Sequence, residues 1–259
     1  RIVYYVPTAL VAVGVLALWE FLVRLFQVEQ FILPRPTQIY AEFRSEVVLL
    51  LDPSASSILF ESTWATLFAS VGGYVIGCGA GILVAMLTAR FIVLREATMP
   101  FAIAANSVPI VAFAPIMNNW FGLTNPLSKM AIVSIIVFFP AMINTVRGLT
   151  LIDQQELQLM HSYAATPLQI LLKLRIPSAL PYVFSALRVA SALAVIGAVV
   201  GEFFGGPRAT LGVFITQEAA AFDFARAWAA IVMASLIGIG FYTVVVITER
   251  VLVPWRTVE

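Results

Sequence analysis

The sequence predicts an all-α, polytopic membrane protein with about six transmembrane helices. Three observations carry this. The 259 residues are 61% hydrophobic and only 11% charged, with mean hydropathy +0.97, whereas soluble domains sit near half apolar and a quarter charged. The apolar residues fall in runs near the length of about 20 that crosses a bilayer as a helix. Between the runs lie proline-rich or polar stretches that interrupt a helix.

The spans follow in order. The first runs from about Ile2 to Phe26, too long for a signal-peptide core. Leu33-Pro34-Arg35-Pro36-Thr37-Gln38 breaks the chain, and an amphipathic stretch continues to about Leu51, where Asp52-Pro53-Ser54 ends it. The second span is Thr63 to Ala89, followed by a polar break at Arg90–Glu96. The third is Met99 to Trp120 and the fourth Leu127 to Val146. A long polar and amphipathic segment, Arg147 to Ser178, precedes the fifth span at Pro181–Phe204 and the sixth at Ala227–Thr248. The whole of 1–259 is expected to form one transmembrane domain. The chain begins at Arg1 rather than Met, so the native start is expected upstream.

Six spans place both termini on one side, and loop charge sets which. With termini inside, the inner side holds Arg1, Arg90, Arg95, Arg147, Lys173, Arg175, Arg250 and Arg256; the outer side holds Arg35, Arg44, Lys129, Arg208 and Arg226. Eight against five favours cytoplasmic termini and makes Arg147–Ser178 the largest cytoplasmic loop.

Gly73, Gly77 and Gly81, with Ala85, recur every four residues on one face of the second span. Small residues at this spacing let helix backbones approach closely in lipid, which assigns them to helix packing. The third span is interrupted by Pro100, Pro109 and Pro115 and carries Asn106, Ser107, Asn118 and Asn119. A broken helix in a membrane persists where protein or a wet cavity satisfies the freed groups. These four polar residues are therefore substrate-path candidates, the alternative being a kinked helix whose asparagines bond to neighbours. Glu20 and Arg24 form an i,i+4 pair, and Arg188 and Glu202 are the ionisable groups of the fifth span. Interface anchoring or ion pairing is the leading reading of all four.

Within Arg147–Ser178 two short helices are expected. Asp153 can cap the first, with Glu156 at capping-box spacing. Leu157, Met160 and Ala164 give it an apolar stripe. Thr166-Pro167 starts the second, Thr as N-cap and Pro at the first position, and Pro177 and Pro181 are expected to stop it. Such a pair needs a surface to receive its stripe, a partner protein or the bilayer interface. His161 has no nucleophile or carboxylate constellation around it, Cys78 is the lone cysteine, and no metal site is expected. A net charge of +1 excludes nucleic-acid binding through bulk charge.

The run Tyr163-Ala164-Ala165-Thr166-Pro167, then Ile176-Pro177-Ser178-Ala179-Leu180-Pro181 through Arg188, resembles the permease subunits of bacterial ABC importers. It is similar to the branch serving nitrate, sulfonate, taurine, bicarbonate, thiamine-precursor or flavin uptake. Leu33-Pro34-Arg35-Pro36, Trp120-Phe121-Gly122, Phe138-Phe139-Pro140 with Asn144-Thr145, and Gly201-Glu202-Phe203-Phe204-Gly205 agree. That family carries a cytoplasmic loop with Glu-Ala-Ala, three residues, Gly, nine residues and Ile-x-Leu-Pro, where the ATPase docks. Anchored on Pro177, the matching positions here are Gln158, Leu159, Met160, Ala164, Leu174, Ile176 and Pro177, and only the proline matches strictly. The family glycine marks the turn between the two helices; here Ala164 takes its place, or Thr166-Pro167 makes the break.

The resemblance implies an ATPase-coupling segment within about 149–178, carried by Glu156, Gln158, Leu159, Met160, Ala164, Ala165, Thr166, Pro167 and Pro177. It implies a cytoplasmic ATPase dimer, an extracytoplasmic solute-binding protein and a second permease copy or close relative, in the bacterial cytoplasmic membrane. The two lysines, Lys129 and Lys173, do not follow a glycine, so no phosphate-binding loop of the Walker type is present. ATP and Mg are expected on the partner ATPase, with no cofactor on this chain and no enzymatic activity. A self-sufficient secondary transporter would need internal repeats and mid-membrane acids, and a membrane enzyme a catalytic cluster; the sequence offers neither. The ending Glu249-Arg250-Val251-Leu252-Val253-Pro254-Trp255-Arg256 leans the cargo toward a vitamin or vitamin precursor, pyrimidine- or flavin-like, with a sulfonate or nitrate as the alternative.

Overall fold

The computed structural model describes residues 2–49 and 57–255. Arg1, Asp52, Pro53, Ser54 and Arg256, and the end of the amphipathic stretch at Leu51, lie outside the described residues. The protein is 84% helical, with no strand among the described residues, which places it in the all-α class. Among the described residues five helices are long and apolar enough to cross a membrane, or six if the bent pair Val93–Asn106 and Val111–Phe121 counts as one span. The chain divides into two compact units, 1–65 with 207–235 and 66–206 with 236–259.

The first unit holds α1 (Ile2–Leu25), α2 (Pro36–Leu49), α10 (Leu211–Ala220) and the first turns of α3 (Ile58–Arg90) and α11 (Phe224–Leu252). Glu20 on α1 pairs with Arg24 at 2.6 Å. Its carboxylate also accepts from the Thr37 amide at 3.2 Å, which satisfies an orphan donor of the first turn of α2. Arg226 joins Glu46 at 3.3 Å and Glu218 at 3.2 Å, so it is an ion-pair centre rather than a free loop charge. Burial raises the Glu218 carboxyl above the usual range; Arg226 opposes this, and Asp223, Glu46 and Glu42 add to it. The helix α10 was not expected; Gly205 at φ +113 and the Pro207 segment hide it from a hydropathy reading.

The second unit is built on α6 (Pro126–Thr150) against α9 (Ile176–Phe203). Its largest core joins Val133, Val137 and Ala141 of α6 to Ala190, Ala194 and Ala198 of α9, all fully buried. Small residues let the axes close: a Cβ on Gly148 would meet Ala179 Cα at 2.9 Å, and one on Gly197 would meet Ile136 Cδ1 at 2.7 Å. The α3 glycines approach α6 in the same way. A Cβ on Gly73 would meet Met130 O at 2.7 Å, one on Gly81 would meet Phe138 O at 2.6 Å, and one on Gly77 would collide with Ser134 O. The Ser134 hydroxyl bridges the two helices by donating to Gly73 O at 3.0 Å.

Two sequence expectations change. The break expected over Arg90–Glu96 narrows to Phe91, and α4 (Ile92–Asn106) starts well before Met99. The third span is broken, as its prolines suggest: Val93–Asn106 and Val111–Phe121, which takes in most of a 3-10 turn at Ile110–Phe113 and all of α5 (Ala114–Phe121), differ by 78°. Pro109 opens that turn, and a proline cannot supply the amide that would continue α4. Pro177 and Pro181 do not stop the chain. A π-turn at Leu171–Arg175 leads straight into α9, with Ile176 N bonded to Leu171 O. The wide turn carries the Lys173 carbonyl away from the i−4 position that the Pro177 ring would strike, so the helix passes through.

A buried polar clamp holds α5 in place. Lys129, expected in an outer loop, is 2% exposed. Its ammonium donates to Asn118 Oδ1 at 2.7 Å, Leu123 O at 2.9 Å and Ser128 Oγ at 3.1 Å, using all three donors. Asn118 in turn donates to Phe204 O at 3.2 Å, and buried Glu202 accepts from the Thr66 hydroxyl at 3.0 Å. The Lys129–Asn118 bonds tie α5 to α6 and to the residue that ends α9, and the Thr66–Glu202 bond ties α3 to α9. Arg188 is held likewise, in an ion pair with Glu249 at 3.2 Å.

Two outcomes follow from this packing. Lys129→Met strips three acceptors of their donor, two of them buried, and should destabilise the purified protein by about 1–3 kcal/mol, read by thermal unfolding in detergent. Gly77→Leu should prevent α3 from seating on α6 and abolish stable expression, whereas the same change at Gly79, where a Cβ meets nothing within 4 Å, should leave the melting temperature within a degree or two, the ordinary range for an exposed change.

Candidate functional site

Two features of the second unit are candidate sites: an exposed helical turn and a cavity. The exposed turn begins at α7 (Gln154–Ser162). Asp153 caps it by accepting from Gln155 N at 2.8 Å. The helix ends in a Schellman motif: Ala165 N bonds to Met160 O at 3.1 Å and Ala164 N to His161 O at 2.9 Å. Ala164 itself has φ +50, the left-handed conformation that ordinarily calls for glycine. Ala164 thus makes the turn, and Thr166 opens the next helix, α8 (Pro167–Ile170), with Pro167 at its first position. Thr166 and Gln169 form a reciprocal capping box, Thr166 N to Gln169 Oε1 at 2.8 Å and Gln169 N to Thr166 Oγ1 at 3.4 Å.

The apolar face this turn presents differs from the expected stripe. Leu157 and Met160 are half-buried. The exposed apolar side chains are Leu159, Tyr163, Leu168 and Leu172, with Tyr163 at 76%. Glu156, Gln158, His161 and Ala164 are exposed around them, Ala165 is half-buried, and Pro177 lies inside the continuous helix. Because α8, the π-turn and α9 form one helical run of 37 residues, Pro167–Phe203, Leu168 and Leu172 are joined to the core of the second unit through continuous helix, and Leu159 and Tyr163 reach it across the turn at Ala164.

The cavity has a volume of about 590 Å³ and lies between α4, α6 and α9. Apolar side chains form most of its wall, and Asn106, Asn144 and Arg147 are its polar members. Of the four polar residues read from the third span, only Asn106 lines it. Ser107 is exposed beside it and donates weakly to Ile103 O at 3.4 Å, Asn118 is committed to the clamp, and Asn119 is exposed on α5. Asn144 and Arg147 were not singled out as path residues. The signal was present: Ile136, Pro140, Ile143, Asn144 and Arg147 fall at i, i+4, i+7, i+8 and i+11, one helix face. No cluster of three or more His, Cys, Asp or Glu residues that could hold a metal occurs among the described residues.

Comparison with known proteins agrees with this architecture. Residues 77–258 match the family described as binding-protein-dependent transport system inner membrane component. The formylaminopyrimidine transport permease protein ThiX of Halalkalibacterium halodurans is 34% identical over 93% of this chain and 92% of its own. The riboflavin transport system permease protein RibX of Chloroflexus aurantiacus is 32% identical over 93% of this chain and 87% of its own. The putative aliphatic sulfonates transport permease protein SsuC of Bacillus subtilis is 26% identical over 93% and 84%. A chain of the methionine ABC transporter MetNI, solved in inward-facing conformations, shares the fold at TM-score 0.53 and 18% identity, covering 72% of this chain and 92% of that one. The matched family, the long apolar spans and the full-length similarity to these permeases establish that the chain belongs to the binding-protein-dependent inner membrane components and is a transmembrane permease subunit of an ABC importer.

Proposed function

We propose that this permease imports a nitrogen-heterocyclic vitamin or vitamin precursor, of the pyrimidine or flavin kind. The observation that carries the cargo is the pattern of similarity. The two permeases named for such compounds are 34% and 32% identical across 93% of this chain, against 26% for the sulfonate permease over a similar length. A sulfonate is the second reading, favoured by Arg147 on the cavity wall, which offers an anion a partner.

The subunit works with an ATPase, which binds ATP and Mg, and with a solute-binding protein that delivers the cargo at the outer face. Two copies, or this chain and a close relative, form the pathway. Both termini and the α7–α8 turn face the cytoplasm, as the loop charges favour. Leu159, Tyr163, Leu168 and Leu172 give the ATPase an apolar face on that turn, and the continuous run from α8 into α9 carries its movement to the membrane core. Domain closure in the ATPase thereby alternates access to the path.

Three outcomes test this. The assembled importer in proteoliposomes should take up formylaminopyrimidine or riboflavin in an ATP-dependent, saturable manner and not butanesulfonate; sulfonate uptake alone overturns the cargo. Leu159→Asp and Ala164→Asp should weaken co-purification with the ATPase at least about tenfold, the effect of losing one buried anchor, without lowering the melting temperature of the isolated subunit; intact assembly removes this face as the docking site. Ala164→Gly relieves a left-handed alanine, worth about 1 kcal/mol, and should keep assembly and transport while slightly raising the melting temperature.

A further inference from the structure

The cavity between α4, α6 and α9 carries unspent hydrogen-bonding groups in an order that defines what it can hold. Pro140 has no N–H, so the carbonyl of Ile136, on the cavity face, lacks the donor a helix would supply four residues on. Asn144 donates its amide to Pro140 O at 2.9 Å, which leaves its Oδ1 as an acceptor. Asn106 and Arg147 make no side-chain hydrogen bond or ion pair among the described residues. Ile136 to Arg147 is about 16 Å along α6 at 1.5 Å per residue. An open groove with a mostly apolar wall therefore has two acceptors partway along it, an exposed carboxamide at the bend of the broken span, and an exposed guanidinium at one end. Its 590 Å³ lies in the range of small-molecule sites.

We propose that this cavity is a solute subsite on the translocation path, for a compact, uncharged solute with N–H donors beside carbonyl or ring-nitrogen acceptors on an apolar frame. Ile136 O and Asn144 Oδ1 take the donors, Arg147 takes the acceptors, and Asn106 serves either. A cation meets Arg147 and is repelled. An alkanesulfonate satisfies Arg147 but offers neither acceptor a donor, so it fits the groove less well. The described lining residues include no aromatic ring on which a solute could stack. Arg147 is a specificity residue here. The proposal rests on the importer reading and deepens it.

The test uses the assembled importer in two arms. In a Cys78→Ala background, Asn106→Cys and Asn144→Cys in inside-out vesicles should react with a membrane-impermeant methanethiosulfonate, and formylaminopyrimidine should slow both reactions several-fold. In uptake, Asn106→Leu and Arg147→Leu should each raise the KM for formylaminopyrimidine about tenfold, the loss of one hydrogen bond to the solute, with the affinity of the binding protein unchanged. Unreactive cysteines, meaning a cavity closed by lipid or by a second copy, overturn the subsite. So does unchanged KM in both variants with heterocycle uptake intact, an outcome that leaves the cargo reading standing. Uptake of butanesulfonate alone by the unsubstituted importer overturns the cargo reading and with it the chemistry assigned to the subsite.

Discussion

An ammonium group taken out of water is stable only when every donor finds a partner, and Lys129 meets that demand with three acceptors from three places in the chain. Two of them, Asn118 and Leu123, belong to the far half of the broken span and the turn after it. The half-helix α5 is too short to cross a membrane by itself, and the bend leaves backbone groups unsatisfied by regular helix. Lys129 converts that liability into a fixed geometry. With Asn118 bonded onward to Phe204 O, the position of α5 is set by α6 and α9, the best-packed pair in the unit. The cavity depends on the same constraint, because Asn106 lies at the last residue of α4, where the bend begins.

The second half of the design is mechanical continuity. Proline at 177 would ordinarily interrupt the passage from the exposed turn into the membrane. The π-turn at Leu171–Arg175 accommodates it, and α8 runs into α9 without a loop. A force applied at Leu168 or Leu172 then reaches Ala190 and Ala194 through continuous helix. The cost falls at Ala164, which sits in a left-handed conformation to end α7. A residue in that conformation persists where both flanking structures demand it: the Schellman bonds on one side and the Thr166–Gln169 box on the other.

Much of this fold was legible in the sequence, because hydropathy reports length and polarity, and these decide what crosses a bilayer. The Thr166-Pro167 start and the Asp153 cap were legible because capping is local chemistry. The misreadings came from residues whose meaning is tertiary. Lys129 looks like a loop charge until its three acceptors are assembled from Asn118, Leu123 and Ser128. Pro177 looks like a stop because the π-turn that admits it depends on carbonyl positions, not on composition. Arg147 was counted for orientation, yet its place on one face with Ile136 and Asn144 puts it on the cavity wall. Arg188 looks like a snorkelling charge because Glu249, its partner, is 61 residues away in sequence.

The central claim is that the Lys129 clamp makes the broken span a rigid part of the core. Hydrogen–deuterium exchange on the importer in nanodiscs tests it directly, by comparing the amides of 118–125 with those of α6. A clamped segment exchanges as slowly as α6 and loses that protection in Lys129→Met, while α6 remains protected. Rapid exchange of 118–125 in the unsubstituted protein, or protection unchanged by Lys129→Met, would contradict the claim.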